Sequence, residues 1–294
     1  MTNLQPSARA NSARRGDPLA STILRGESWG MGKEHPEPWQ IDVVFEDDHL
    51  VAAVKPAGLP TANAPRGATS LFTILADRLG PSSFVGIVSR LDAPVSGLVV
   101  VAKTPTAAAG LAEQFRERTV QKRYLAVVAG RFPAPLEQWV DWNDQILRPA
   151  GDRCSVIVPA DDSPRTRPPA RLPKTGRGSP PQPAPGAAQE ARTRGRVVRR
   201  AGEVSLVELE PLTGRRHQLR VQLSSRGCPI VGDRQYGSRL PYPEPGGIAL
   251  HAAELEFEHP ADSRRLNLTA PLPGAWRATF GHLLSQPLPD RPRT

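Results

Sequence analysis

The chain has 294 residues, enough for one large domain or two small ones, and 38% of them are apolar, enough to build a core. Its 33 prolines and 25 glycines point to many loops or disordered pieces. The net charge of +9 is unevenly spread: residues 161–200 hold ten basic and three acidic groups, so bulk charge is poor evidence that the remaining body binds nucleic acid. The two cysteines, Cys154 and Cys228, lack metal-ligand spacing and require no oxidising compartment. The start of the chain has no apolar stretch typical of a secretory signal, and no run is long enough to span a bilayer, so a soluble cytoplasmic protein is expected.

In chain order, residues 1–38 are small, polar and proline-rich, and are expected to be a disordered tail. Ile41–Glu46 and Leu50–Val54 read as strands joined by the turn Asp47-Asp48-His49. Leu71, Ile74, Leu75 and Leu79 recur at helical spacing behind Thr69 and Ser70, two possible caps. Phe84–Val88 and Leu98–Ala102 read as strands flanking a loop around Asp92. Pro105 opens a helix with Leu111 and Phe115 on one face, expected to end at β-branched Thr119-Val120. Tyr124–Ala129 and Val204–Glu210 read as strands. Residues 162–188 are crowded with Pro, Arg, Gly and Ser and cannot offset their ordering entropy by burial, so they are expected to be a disordered surface-loop insertion. From Arg216 to Ser224 the pattern is ambiguous: Leu219, Val221 and Leu223 alternate like a strand, while Leu219 and Leu223 also share a helix face.

The most informative stretch is Ser89-Arg90-Leu91-Asp92, followed by Ser96-Gly97 and a strand ending in Ala102-Lys103-Thr104. It places a carboxylate next to an arginine in a turn-rich loop at the mouth of a β-rich core. Further blocks are Lys55-Pro56-Ala57-Gly58-Leu59-Pro60 before it and Lys122-Arg123-Tyr124-Leu125 after it. Then come Thr213-Gly214-Arg215-Arg216-His217-Gln218-Leu219-Arg220-Val221, Gly232-Asp233 with Tyr236-Gly237, and Leu250-His251-Ala252-Ala253 with Phe257-Glu258-His259-Pro260. In their wording and order these blocks resemble the RluA family of RNA pseudouridine synthases over roughly residues 41–280. Ser89 departs from that family's usual His, and Val95 from its usual Thr.

The resemblance implies an α+β catalytic domain over residues 39–285, with a mixed, largely antiparallel sheet crossed by a cleft, and a short tail at 286–294. It also favours helix for the ambiguous stretch, which would put Arg216 and Arg220 on adjacent turns. The implied activity is isomerisation of uridine to pseudouridine in structured RNA, ribosomal or transfer, with base flipping and no cofactor or metal. No DNA or membrane partner is expected, and the protein is expected to be a monomer.

That reaction breaks the C1′–N1 bond, rotates the uracil and joins C5 to C1′, with no redox step. A carboxylate suits it, because it can add covalently or stabilise a glycal-forming path. The resemblance gives this role to Asp92, although an Asp in such a loop also serves as a turn residue. It makes Arg220 the guanidinium that keeps the carboxylate ionised and oriented. It assigns Tyr124 to stacking and proton transfer, Arg90 to the space vacated by the base, and Leu250 to the apolar wall of the pocket. His217 and His251 read as hydrogen-bonding scaffold residues. Two rival readings remain open at this level: an RNA-binding homologue that has lost catalysis, and a glycosidase whose second acid would be Glu208 or Glu210.

Overall fold

A computed structural model describes residues 39–65, 67–149, 152–158 and 187–285. The expected tails at 1–38 and 286–294, and residues 162–186 of the expected insertion, lie outside the described residues; Ala187 and Ala188 lead directly into a strand.

Eleven strands form one sheet among the described residues. They are β1 Asp42–Glu46, β2 Leu50–Lys55, β3 Gly86–Ile87, β4 Ser96–Ala102, β5 Gln121–Ala129, β6 Val140–Leu147, β7 Val156–Val158, β8 Gln189–Ala201, β9 Val204–Pro211, β10 Leu250–Glu258 and β11 Arg265–Thr269. Along the sheet the order is β1-β2-β4-β10-β5-β9-β8-β6-β7, with β3 added to β4 and β11 to β10. The β4–β10 pair is parallel, Ser96 opposite His251 and Gly97 opposite Ala252, and the other recorded ladders are antiparallel. With four α-helices, α1 Leu71–Leu79, α2 Pro105–Glu117, α3 Gln218–Ser225 and α4 Gly274–Phe280, this is the expected α+β class with a mixed, mainly antiparallel sheet.

The amino-acid pattern explains the layering. All seven residues of β4 are buried because helices cover both of its faces. On one face Val99 and Val101 join Val51, Ala53 and the α1 residues Leu71 and Leu75; on the other Leu98 and Val100 join Leu50, Ala52 and the α2 residues Ala107 and Leu111. Ser70 caps α1 through a reciprocal capping box with Thr73. Thr104 caps α2, with Pro105 in its first turn.

Three expectations need correction. Only Gly86–Ile87 of the Phe84–Val88 segment pairs as a strand. Helix α2 ends because Arg118 turns into the left-handed region (φ 63°), before the β-branched pair is reached. Arg216 is not on a turn of α3: the helix begins after left-handed His217 (φ 55°), which leaves Arg216 in the preceding loop.

Candidate active site

One edge of β4 is shared. Strand β10 runs beside Ser96 and Gly97, and β3 beside Val101 and Ala102. The segment carrying Asp92 therefore crosses where β4 changes neighbours. Its backbone is pinned on all sides. Leu91 exchanges hydrogen bonds with the Thr61 hydroxyl, at 2.8 and 3.1 Å. Gly58 N–H donates to Ala93 O, Ile248 N–H to Pro94 O, and Val95 N–H closes a turn onto Asp92 O. Gly97 is required here, with φ +117° and a position where a Cβ would lie 2.3 Å from Ala252 O. Val95 is buried in the main core, which accounts for an apolar residue at this position.

Beneath this loop the Lys55 ammonium is fully buried, donating to Pro56 O (2.8 Å), Leu59 O (2.7 Å) and Ala93 O (3.1 Å). Burial pulls its pKa down to about 7, opposed by the negative charge of Asp92. Three carbonyls for three N–H donors make the ammonium the form that this cage fits.

Helix α3 lies over the sheet face that carries Tyr124. Gln218 donates to Arg192 O and Thr193 Oγ1, and Gln222 to Asp144 Oδ2 and Ala191 O, so its buried polar side chains are satisfied. The sequence pattern was ambiguous because every residue from Gln218 to Leu223 is buried. Leu219 and Leu223 enter the main core, while Val221 packs in a separate cluster with Ile146, Ala191 and Tyr236.

From α3 the Arg220 guanidinium spans two carboxylates. Its Nε and Nη2 donate to Asp233 Oδ2 (2.7 Å) and Oδ1 (2.8 Å), and Nη2 also donates to Gln235 Oε1 at 2.8 Å. Nη1 reaches Asp92 Oδ2 at 3.3 Å. The Tyr236 ring lies 4.9 Å from the guanidinium carbon. Burial works against this cation, but hydrogen bonding and charge from Asp233, then from Asp92, raise its pKa above the usual arginine range. The Asp92 side chain is 28% exposed, whereas those of Arg220 and Asp233 are 4% and 1% exposed.

His217 Nε2 stands 3.8 Å from Asp92 Oδ2, and its Nδ1 pairs with the Tyr236 hydroxyl at 2.8 Å. That hydroxyl also accepts from Ser155 N–H at 2.8 Å. Burial pulls the His217 pKa down to about 4, so the ring is neutral at physiological pH. Tyr124, on β5, is pushed above the ordinary phenol range by burial and then by the charge of Asp92.

Asp92, Tyr124 and Arg220 are thus brought together from sequence positions far apart. Leu250 is buried at the start of β10, in the core cluster against which Tyr124 and Leu91 pack. Arg90 is exposed on the loop. Asp233, Tyr236 and Lys55 lay inside blocks noticed in the sequence and Gln235 between two of them, but nothing there said which of them would meet Arg220 or Asp92.

The proposed second acid of a glycosidase does not fit. Glu208 is fully buried, with Oε1 2.5 Å from Arg123 Nε and Oε2 2.7 Å from Arg196 Nη2. On β9 it alternates with Leu209, which is registered opposite Tyr124, so Glu208 and Glu210 face away from the site. Charge placement also needs correction: Arg192, Arg194, Arg196, Arg199 and Arg200, half of the basic residues counted in 161–200, belong to β8 and hence to the folded body. Among the described residues no cluster of His, Cys, Asp or Glu is arranged to hold a metal, and no helix is long and apolar enough to cross a membrane.

A sheet of this topology with such a loop defines a class, and sequence comparison agrees. The family model described as RNA pseudouridylate synthase matches residues 49–225. Ribosomal large subunit pseudouridine synthase C of Vibrio cholerae is 35% identical over 78% of this chain and 65% of its own length. Ribosomal large subunit pseudouridine synthase D of Nitrosomonas europaea is 33% identical over 85% of this chain and 67% of its own length. Human RNA pseudouridylate synthase domain containing 4 superposes with a TM-score of 0.60 at 26% identity, covering 91% of this chain and 96% of that one. The chain belongs to the RNA pseudouridylate synthase family. It spans about two thirds of the length of these two bacterial relatives.

Proposed function

We propose that this protein isomerises uridine to pseudouridine in structured RNA, with Asp92 as the reacting carboxylate. The observation that carries this reading is the asymmetric environment of that residue. One oxygen is held by Arg220, which is itself locked from behind by Asp233, and the side chain remains open to an incoming base. In outline, the C1′–N1 bond breaks, the uracil rotates within the site, C5 bonds to C1′, and a proton leaves C5 while N1 regains one. Asp92 acts by covalent addition or by stabilising the glycal-forming path. Tyr124 stacks on the extracted uracil and moves a proton through its hydroxyl. Arg90, on the exposed loop, enters the gap left by the flipped base, and Leu250 backs the apolar wall behind Tyr124.

Ribosomal RNA is the first substrate to examine, because the relatives above carry ribosomal names, with transfer RNA second; a cytoplasmic monomer is the matching setting. The test is position-resolved pseudouridine mapping of total RNA from cells without the protein, with it, and with Asp92→Asn. Sites that appear only with the parent support the reading. Identical maps in all three would overturn it, and free uracil in place of pseudouridine would restore hydrolytic glycosidase chemistry.

A further inference from the structure

Outside the Asp92 site, like charges crowd together where the chain passes from α2 into β5. Arg118 ends α2 in a left-handed conformation, and its exposed guanidinium acts on both Lys122 and Arg215. Lys122 is half-buried, and its Nζ reaches Thr213 O at 3.4 Å, a long hydrogen bond. Arg215 is held from the loop before α3, with Nε donating to Glu190 O at 2.9 Å and the Glu190 charge its nearest compensation. Among the described residues no carboxylate forms an ion pair with Arg118 or Lys122. Burial and then Arg118 pull the Lys122 pKa down to about 8, so the arrangement costs energy in the free protein.

The placement gives that cost a purpose. Strand alternation puts Lys122 on the same face of β5 as Tyr124, about 7 Å along the strand. Arg123, between them, points the other way into the Glu208 cluster. Lys122 therefore lies on the aromatic ring's side of the sheet rather than the back, and the charge of Arg118 reaches both Lys122 and Arg215.

We propose that Arg118, Lys122 and Arg215 form a cradle for an RNA backbone phosphate beside the flipped uridine, an inference that rests on the function proposed above. A phosphate has the charge to relieve three neighbouring cations, and its oxygens match guanidinium and ammonium donors together. The cradle fixes the strand's register so that one uridine is presented to Asp92.

The test uses Arg118→Gly, which suits the left-handed backbone, and Lys122→Met, which keeps much of the buried stem. Binding of a fluorescein-labelled stem-loop RNA with a uridine-rich loop is measured across a salt series. Each variant should weaken binding several-fold at low salt and flatten the slope of log affinity against log salt by about 0.7–0.9. Melting temperatures should hold or rise as like-charge repulsion is relieved. On the mapped RNA the loss should fall mainly on KM rather than kcat. Parental affinities and slopes in both variants would overturn the cradle, as would a lower kcat with unchanged binding. If the parent makes no pseudouridine in any RNA, the catalytic reading fails, whereas the salt slopes still decide the cradle.

Discussion

Two arginine–carboxylate networks lie on opposite faces of β5, and they are built differently. On one face Glu208 has no exposed surface, and both its oxygens are taken, by Arg123 and Arg196; Arg123 also reaches Glu254 at 3.3 Å, and the Trp139 ring lies 4.9 Å from the Arg196 guanidinium carbon. On the other face Asp233 is equally closed on Arg220, but Arg220 passes a third donor to Asp92, a longer contact to a carboxylate that solvent reaches. A closed network has no solvent-facing oxygen for an incoming atom to reach. An open one keeps a charged oxygen available and holds its partner rigid from behind, so partial closure distinguishes chemistry from architecture.

The strongest test of that difference is Asp92→Asn. It should cut single-turnover isomerisation by at least about a thousandfold, about 4 kcal/mol of barrier, with little change in melting temperature. Residual turnover above about one-tenth of the parent, 1.4 kcal/mol, would remove Asp92 from the reaction.

Glu208→Gln should show the reverse pattern. Removing a buried charge from between two guanidiniums should cost about 3–4 kcal/mol of stability in a denaturant titration, while the turnover of molecules that remain folded stays near the parent's. A selective loss of turnover at constant stability would erase the distinction between the two faces.

Arg220→Lys sits on the boundary between them. Lysine keeps the charge but loses the fork that joins Asp233 to Asp92, so the rate should fall about a hundredfold, or about 2.7 kcal/mol. Because Asp233 is buried, stability should fall as well, by about 1–2 kcal/mol. Arg220 therefore carries both duties. Tyr124→Phe separates them cleanly: the ring and its packing stay, RNA binding survives, and product formation should drop at least about tenfold in a single-turnover assay.

The last expected effect is on acid stability. Burial holds His251 near a pKa of about 4, with Nδ1 on Ser96 Oγ at 2.8 Å, and His217 is lowered similarly. The unfolded chain takes up these protons near pH 6.5, whereas the folded chain resists until about 4. Stability is therefore full above 6.5 and drains as pH falls through that window, by about 3 kcal/mol for the buried His251. In His251→Gln the dependence of melting temperature on pH between 6.5 and 4 should flatten; an unchanged slope would show that other groups carry it.

Local patterns determined a great deal here. The alternation in β1, the Ser70 cap, the spacing of Leu71 and Leu75, and the apolar runs of β2 and β4 are each set by near neighbours in the chain, so the sequence alone located them. The motif blocks also singled out Asp92, Tyr124 and Arg220 before any coordinates. Other features needed the tertiary structure. The start of α3 and the exclusion of Arg216 depend on left-handed His217 and on a helix buried all round, where hydrophobic period carries no information. The partners of Arg220, the cage around Lys55 and the closure of Glu208 join residues 1 to 128 positions apart. The longest of them, Arg220 to Asp92 and Arg123 to Glu208, close only when folding brings the Asp92 loop to α3 and β5 beside β9. Charge pairing of this kind depends on three-dimensional proximity and desolvation, and neither is encoded in the order of neighbouring residues.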